Sequence, residues 1–420
     1  MFQTIKAGVL IIGTGAAGTA AASELRARGY AGRLTLVNGE AESPYNRTAV
    51  NKGLLGGQMS LTQVALRLPD DEDVTTWHGR RVTRLDTEAR CAHLDTGERL
   101  EYDAVLVATG AEPRPLDVSH TQVAANRVHQ LRTAADAATL RSALDEAAAR
   151  RGDRTVRVGV VGAGLLGAET ADTLAAEGAA VTLVDPDPAP LDRLLGATVA
   201  GWVRAQQRGV LTPAFATSVA GVHLLGDAVL MRLCDGTHAV VDVILVASGV
   251  TPATACLSPL FPVARDGVPT DEHLRVLGVA GLYAAGDVAR PRRGGVTVRG
   301  EHWGQALAQG RHVARVMLHD LGLSEDPGPL DAPESFATRL HGKAITVLGR
   351  PGPEGREVVL AGSREDDAVT LALVDRDGRL VGGVALGSPR TLNKLRPLVA
   401  SRALLADART ALDELVPTAG

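Results

Sequence analysis

Residues 162–178 read GAGLLGAETADTLAAEG, and a closely similar stretch, GTGAAGTAAASELRARG, has already occurred at residues 13–29. Each copy follows a short apolar run and leads through an Ala-rich stretch to a second apolar run, which predicts strand, glycine turn, helix and strand twice. Four glycines hold the same relative places in both copies: Gly13, Gly15, Gly18 and Gly29 recur as Gly162, Gly164, Gly167 and Gly178.

Each of the three leading glycines has a distinct task in such a unit. The first makes the tight turn, the second lets the backbone approach a pyrophosphate, and the third lets helix and strand pack closely. The helix N-terminus then faces the phosphates. Two complete copies therefore predict an α/β fold with two Rossmann-like domains that bind two dinucleotides.

The residue that ends the second strand of each copy bears on which nucleotide is bound. Asp185 ends the second copy, and a carboxylate there accepts hydrogen bonds from an adenosine ribose and repels a 2′-phosphate, which favours NAD(H) over NADP(H). The first copy ends in Asn38, with Glu40 two residues on. Either side chain can bond a ribose hydroxyl, so the choice between them stays open.

Composition excludes several classes of protein. With 420 residues, two or three domains are expected. Aromatic residues make up only 3 % and the net charge is −4, which argues against nucleic-acid binding. The uncharged stretch 7–22 is too short to span a bilayer, so no membrane association is expected. Cys91, Cys234 and Cys256 form no CxxC pair, so neither a disulfide framework nor a metal site is expected and a cytoplasmic location fits.

Three further motifs place the chain in a known class. YAAGDVA at 283–289 resembles the third flavin-binding signature of FAD-dependent pyridine nucleotide-disulfide oxidoreductases. ATG at 108–110 and ASG at 247–249 each follow a buried run and resemble the two chain-crossing motifs of that superfamily. The resemblance implies that FAD and NAD(H) are the two dinucleotides, and that Asp287 bonds the ribityl chain of FAD.

Within this superfamily, the chain resembles the ferredoxin and rubredoxin reductases. PYNRTAVNKGLLGG at 44–57 is similar to their flavin-side segment, with Thr48 and Ala49 where two prolines are usual, and 128–144 and 301–310 also match the branch. The resemblance implies two catalytic residues. Lys52 of this segment pairs with Glu169 of the second glycine-motif helix, and the pair holds nicotinamide over the flavin.

Residues 301–319 predict one amphipathic helix. The resemblance directs its N-terminus at the flavin, where the helix dipole would stabilise an anionic reduced flavin. Its apolar positions recur at helical spacing on one face: Trp303, Ala306, Leu307, Gly310, Val313, Ala314 and Met317.

The flavin-side segment 43–57 contains no cysteine, so electrons must leave the flavin directly and not through a thiol relay. After a linker at 323–333, successive strands and a helix over 391–408 predict an α+β domain that resembles the interface domain of the same branch. Phe336 keeps one half of the branch's usual Phe-Trp pair, and Ala337 stands in the Trp place. Against the resembled branch, this departure would leave the flavin more open to a small molecule and puts the electron-acceptor surface in question.

The expected domain division is a first part of the FAD-binding domain at 1–115, an NAD-binding domain at 116–247, the second part of the FAD-binding domain at 248–325 and the C-terminal domain at 326–420. The predicted cofactor-binding residues are Gly13, Gly15, Ala16, Ala17, Gly18, Asn38, Glu40, Arg47, Lys52, Ala108, Thr109, Gly110, Arg114, Gly162, Gly164, Leu165, Leu166, Glu169, Asp185, Ser248, Gly249, Gly286, Asp287, Glu301, His302 and Trp303.

The resemblance implies an NADH-dependent flavoprotein reductase that passes single electrons to a ferredoxin or rubredoxin serving an oxygenase or P450. The basic run at 290–293 is a candidate contact for such an acidic partner. Two alternatives stay open: a self-contained FAD oxidoreductase or NADH oxidase acting on a small molecule or oxygen, and a redox sensor resembling apoptosis-inducing factor. A homodimer also stays open.

Overall fold

The computed structural model describes residues 8–116, 121–122, 125–152, 154–258, 260, 266–293, 296–297, 299–330, 333–349, 355–387 and 389–413. They divide into two compact units. Unit 1 comprises residues 1–47, 61–112 and 250–332, and unit 2 comprises 48–60, 113–249 and 333–420. This division is coarser than the one expected from sequence, which stays a prediction.

The helices are α1 (Ala16–Ala27), α2 (Ala134–Arg151), α3 (Leu165–Ala176), α4 (Asp192–Gln207), α5 (Trp303–Asp320), α6 (Pro389–Ala400) and α7 (Leu405–Asp413). The strands before residue 200 are β1 (Val9–Ile12), β2 (Leu34–Asn38), β3 (Val74–His78), β4 (Val82–Asp86), β5 (Cys91–Leu94), β6 (Arg99–Glu101), β7 (Ala104–Val107), β8 (Ala111–Pro113), β9 (Thr121–Gln122), β10 (Val128–Gln130), β11 (Arg157–Val161) and β12 (Ala180–Asp185). Those after it are β13 (Thr212–Phe215), β14 (Val219–Leu225), β15 (Ala228–Leu233), β16 (His238–Val241), β17 (Val243–Val246), β18 (Val250–Pro252), β19 (Val268–Thr270), β20 (Leu282–Ala284), β21 (Ala289–Arg293), β22 (Val296–Thr297), β23 (Ser335–Leu340), β24 (Lys343–Gly349), β25 (Arg356–Ser363), β26 (Ala368–Val374) and β27 (Leu380–Leu386).

Unit 1 is built on a parallel sheet in the order β20-β7-β1-β2-β3. Strands β1 and β7 are buried along their whole length, because both faces of this parallel sheet are covered, one by helices and the other by residues that include β4 and β5. Helices α1 and α5 pack on one face, and a small antiparallel sheet, β4-β5-β6, belongs to the same unit.

Unit 2 contains a second parallel sheet, β10-β17-β11-β12-β13, and a smaller sheet in the order β16-β15-β14-β9. The C-terminal part forms a five-stranded antiparallel sheet, β23-β24-β27-β26-β25. Its buried face packs against α4 and the start of α3 in one hydrophobic cluster. The predicted α/β fold with two Rossmann-like sheets and an α+β C-terminal part is confirmed.

Helix α4 has a break that ties it to the C-terminal sheet. Gly196 has φ 76° and interrupts the helix, so a new helical N-terminus begins after it. The Glu357 carboxylate of β25 accepts the backbone N–H groups of Ala197 and Thr198, the second at 3.1 Å. A carboxylate at this place satisfies N–H groups that have no partner within the helix.

The prediction of a single helix over 391–408 was wrong. The chain forms α6 and α7, with a turn between them in which Arg402 takes φ 51°. A left-handed residue cannot continue a right-handed helix, so α6 ends there and the backbone N–H of Ala403 bonds back to Leu398 O at 2.9 Å. Residues 331 and 332 of the predicted linker lie outside the described residues.

Candidate active site

The first glycine turn of unit 1 leaves the N-terminus of α1 open. Gly13 has φ +99°, and a Cβ on it would lie 2.4 Å from Ala108 O. A Cβ on Gly18 would lie 1.9 Å from Gly13 O, whereas a Cβ on Gly15 would meet no atom within 4 Å. No side chain caps α1 and its first turn carries no acid. The space beside Gly15, bordered by the N–H groups of Ala16 and Ala17, therefore suits a phosphate.

The turn at Gly286 and Asp287 lies against the same helix. Gly286 has φ +81°, and its N–H donates to Gln309 Oε1 at 2.7 Å. Helix α5 approaches so closely that a Cβ on Gly310 would lie 2.2 Å from Ala17 O. Gln309 is 1 % exposed, and its Nε2 has no hydrogen-bond partner within the described part of the chain. A buried donor without a partner costs free energy, which is consistent with a polar group bound here.

The strand ends of unit 1 hold the remaining predicted residues. Asn38 is buried, and its Nδ2 donates to Glu42 O at 2.7 Å. Glu40 accepts from the Tyr45 hydroxyl at 2.6 Å and from the Arg47 guanidinium. These three side chains form one cluster, in which Arg47 also lies over the Tyr45 ring.

The chain-crossing segment after β7 is fixed by two bonds to Ala253. Thr109 Oγ1 donates to Ala253 O at 2.6 Å, and Ala253 N donates to Gly110 O at 3.0 Å. Together with Ala108 beneath Gly13, these contacts bring the ATG motif to the glycine turn.

Helix α5 begins at Trp303 with His302 as its N-cap residue, and its first turn carries no acid. Glu301 forms an ion pair with Arg299 at 2.5 Å. Trp303 and Leu307 are partly buried against the core, and the other five residues of the predicted apolar face are buried. The predicted helix and its buried face are therefore confirmed.

The second glycine turn, in unit 2, repeats this geometry. Gly162 has φ +106°, and its Cβ would lie 2.3 Å from Ala247 O, while a Cβ on Gly167 would lie 1.8 Å from Gly162 O. A Cβ on Gly164 would meet nothing within 4 Å, and α3, which opens with Leu165 and Leu166, has neither a side-chain cap nor an acid in its first turn. This helix N-terminus also suits a phosphate.

Asp185 lies beside this turn with both carboxylate oxygens held by backbone. Its Oδ2 accepts from Ala163 N at 2.6 Å, and its Oδ1 accepts from Asp187 N at 2.8 Å. Each oxygen has a further lone pair, so the carboxylate is oriented and still able to accept a ribose hydroxyl. Ser248 and Gly249 follow β17, and Gly249 O accepts from Arg114 N at 2.9 Å.

Lys52 and Glu169 meet in unit 2. Lys52 lies in a π-helical turn, Val50–Leu54, and its Nζ is 2.7 Å from Glu169 Oε1. The Glu169 side chain is 11 % exposed and the Lys52 side chain 35 %. Their predicted pairing is thus present as a contact, whereas their catalytic role stays a prediction.

Three residues that contact this pair or the turn carrying Lys52 were not predicted from the sequence. Asn51 Nδ2 donates to Glu169 Oε2 at 2.9 Å, and Thr338 Oγ1 donates to Glu169 Oε1. Arg141 of α2 donates from Nε and Nη2 to Leu55 O at 2.9 and 2.6 Å, which anchors the end of the turn that carries Lys52. Asn51 directly precedes Lys52, and this adjacency was the only local signal for any of the three.

The chain matches the model of one protein family over residues 7–310, that of the pyridine nucleotide-disulphide oxidoreductases. The chain belongs to this family. The two open helix N-termini, the close-packed glycines and the acidic strand end fit the dinucleotides that the family name implies. The three cysteines are free, and none lies in the segment that carries Lys52.

Curated relatives narrow the comparison. The chain is 30 % identical to the ferredoxin–NAD(+) reductase component of the p-cumate 2,3-dioxygenase system of Pseudomonas putida, over 97 % of each chain. It is 32 % identical to the ferredoxin reductase component of chlorobenzene dioxygenase from Cupriavidus sp. (strain PS12), over 96 % of this chain and 95 % of the relative. The predicted membership in the ferredoxin reductase-like branch, and the predicted oxidoreductase class, are confirmed.

A solved structure agrees with these relatives. The covalent putidaredoxin reductase–putidaredoxin complex matches 94 % of this chain and 93 % of that chain, with a TM-score of 0.83 and 26 % identity. Across the described ranges, no helix is long and apolar enough to cross a membrane. In the same residues, no group of three or more His, Cys, Asp or Glu side chains could hold a metal ion.

Proposed function

We propose that this protein is an NADH-dependent FAD reductase that delivers single electrons to a ferredoxin-type iron–sulfur protein. The observation that carries the proposal is the Glu169 carboxylate, held beside Lys52 on the helix that begins at the second dinucleotide turn. The relatives are ferredoxin reductase components of dioxygenase systems, and a similar solved structure is that of putidaredoxin reductase in a covalent complex with putidaredoxin. A cytoplasmic location belongs to the proposal and is supported by three unpaired cysteines.

The proposal assigns one dinucleotide to each unit. FAD would lie at the turn of Gly13, Gly15 and Gly18, with Asp287 at its ribityl chain. NADH would lie at Gly162, Gly164 and Gly167, with Asp185 at its ribose. FAD, when bound, accepts a hydride from NADH and releases its electrons one at a time.

Glu40 is the better candidate for the FAD ribose. The Asn38 amide is buried and bonded to main chain, while the Glu40 carboxylate keeps lone pairs beyond those used by Tyr45 and Arg47. We therefore propose Glu40, and not Asn38, as the ribose acceptor.

The test is anaerobic mixing of the purified holoprotein with NADH and, separately, NADPH, followed by the oxidised-flavin absorbance. Ferredoxin with cytochrome c as the final electron sink is then added. Fast bleaching by NADH, with cytochrome reduction only when ferredoxin is present, is the expected result. Absence of bleaching by either nucleotide would overturn the proposal.

Lys52→Met tests the role of the charged pair. The substitution leaves Glu169 without its cation, so flavin reduction by NADH should slow far more than FAD binding weakens. Lys343→Met is the matched control, because Lys343 is a partly exposed lysine of the same unit, 3.6 Å from Asp367. An unchanged reduction rate in Lys52→Met would show that the pair has no part in the reaction.

A second candidate, a direct oxidoreductase of a small molecule or oxygen, rests on Ala337. This residue is exposed at the place where the branch usually carries Trp. The discriminating observation is turnover without any iron–sulfur protein, which would favour this second function.

A further inference from the structure

The Glu169 carboxylate receives donors from three separate parts of the chain. Lys52 and Asn51 come from the π-helical turn, and Thr338 comes from β23 at the start of the C-terminal sheet. Lys52 and Thr338 share Oε1, while Asn51 takes Oε2. Asn51 is 2 % exposed and Thr338 is 6 % exposed, so water does not readily replace either donor.

A second contact holds the same strand to the same helix. His341 follows β23, and its backbone N–H donates to Asp172 Oδ2 at 2.8 Å, while its Nδ1 lies 2.9 Å from Asp172 Oδ1. Burial raises the pKa of Asp172, but the hydrogen bonds from His341 outweigh it and leave this pKa below its ordinary value. The carboxylate is therefore the form that accepts both bonds.

The two contacts have matched spacing. Glu169 and Asp172 lie three residues apart on α3 and so project from one face of the helix. Their partners, Thr338 and His341, are also three residues apart at the end of β23. The hairpin between β23 and β24 thus fixes α3 at two points, one of which is the carboxylate beside Lys52.

We propose that Thr338 is a positioning residue for Glu169, so that the C-terminal domain takes part in setting the geometry of hydride transfer. The inference rests on the proposed function. With both oxygens bonded from fixed directions, the carboxylate has one orientation toward Lys52. Without the Thr338 hydroxyl, the flexible Lys52 side chain is the one partner of Oε1 left among the described residues, and the carboxylate can rotate out of line.

The test compares Thr338→Val, which removes the hydroxyl at nearly constant volume, with Thr338→Ser, which keeps it. In the FAD-loaded protein, Thr338→Val should lower the limiting rate of flavin reduction roughly tenfold, since a hydrogen bond to a charged group is worth at least that factor. The NADH dissociation constant should change less than about twofold, because Thr338 positions a reacting-side group and is not proposed to bind nucleotide. Thr338→Ser should restore most of the rate.

Thr370→Val is the matched control, because Thr370 is a buried threonine of the same sheet and is 4 % exposed. It should leave the reduction rate unchanged. A wild-type rate in Thr338→Val, or a rate in Thr338→Ser as low as in Thr338→Val, would overturn the proposal.

A readout without cofactor separates this inference from the proposed function. In the apoprotein, the urea midpoint of unfolding is measured for Thr338→Val, Glu169→Gln and the double variant. The shift in the double variant should differ from the sum of the two single shifts, because the two side chains bond each other. Additive midpoints would refute the inference even if NADH reduces the flavin. Failure of the wild-type protein to be reduced by NADH would instead overturn the proposed function, whatever the midpoints show.

Discussion

The two dinucleotide turns share a backbone and differ in a few side chains. Both sheets have the same arrangement, with the glycine-turn strand third in each, and both leading glycines lie over a carbonyl of the neighbouring chain-crossing motif. At the place where α1 carries the buried Ala20, α3 carries Glu169. The glycine geometry therefore makes a general dinucleotide scaffold, and in the proposed function the chemistry depends on the side chains that only one copy carries.

The largest expected effect tests the common scaffold. Gly18→Ala and Gly167→Ala each place a Cβ within 2 Å of a backbone carbonyl, 1.9 and 1.8 Å respectively, so helix and strand must separate. Each substitution should destabilise its own half by about 3 kcal/mol, measured by thermal unfolding. Unequal losses in the two halves would show that the scaffolds are not equivalent.

The next effect concerns the aspartate that directly precedes the second strand of each parallel sheet, β7 in unit 1 and β17 in unit 2. Asp103 accepts the N–H of Gly8 at 2.8 Å, and Asp242 accepts the N–H of Arg157 at 2.8 Å and adds ion pairs to Arg157 and Arg151. Asp242→Asn should cost about 2 kcal/mol, and more than Asp103→Asn, because it also loses charged bonds.

The pH dependence of this effect has a definite sign. Burial raises the pKa of Asp242, but the bonds from Arg157 prevail and set it below the ordinary 3.8. Its contribution is therefore present above pH 3.8 and is lost as pH falls through the lower folded value. Urea unfolding of wild type and Asp242→Asn should show a constant difference near pH 7 that shrinks below pH 3.8. A difference that grows in acid would contradict this assignment.

A smaller effect distinguishes the two strand ends. Asp185→Asn gives the second half the residue type that ends β2 in the first. The preference for NADH over NADPH should fall roughly tenfold, because the carboxylate no longer repels a 2′-phosphate. Nucleotide titration of the oxidised protein measures this ratio, and an unchanged ratio would place nucleotide selection elsewhere.

The smallest expected loss of stability is at the second glycine of each turn, Gly15 and Gly164. Gly15→Ala and Gly164→Ala add a Cβ that meets no atom within 4 Å, so each should change stability by no more than about 1 kcal/mol. Gly15→Ala should lose FAD while retaining NADH binding, and Gly164→Ala should do the reverse. Flavin content and NADH titration of both variants measure this, and a loss of the same ligand in both would break the assignment of one dinucleotide to each half.

Sequence predicts what depends on local spacing. The glycine turns, the buried face of α5 and the strand-end Asp185 follow from residues close together in the chain, and the meeting of Lys52 and Glu169 followed from a family resemblance. Thr338 and Arg141 were not predictable, because their contacts join residues far apart in sequence and depend on which sheet face packs on α3. The break after α6 was missed because nothing in the composition of 391–408 marks Arg402 as left-handed.

The order of strands also has a consequence for how the chain is made. The parallel sheet of unit 2 is complete once Val246 has been synthesised, since all five of its strands lie between Val128 and Val246 in the chain. The sheet of unit 1 must wait for β20, because Leu282 pairs with Val105. Until then β7 has an unpaired edge, which can pair with other chains. We therefore expect closure of the first sheet to be the slow and aggregation-sensitive step of folding, and flavin incorporation to follow it.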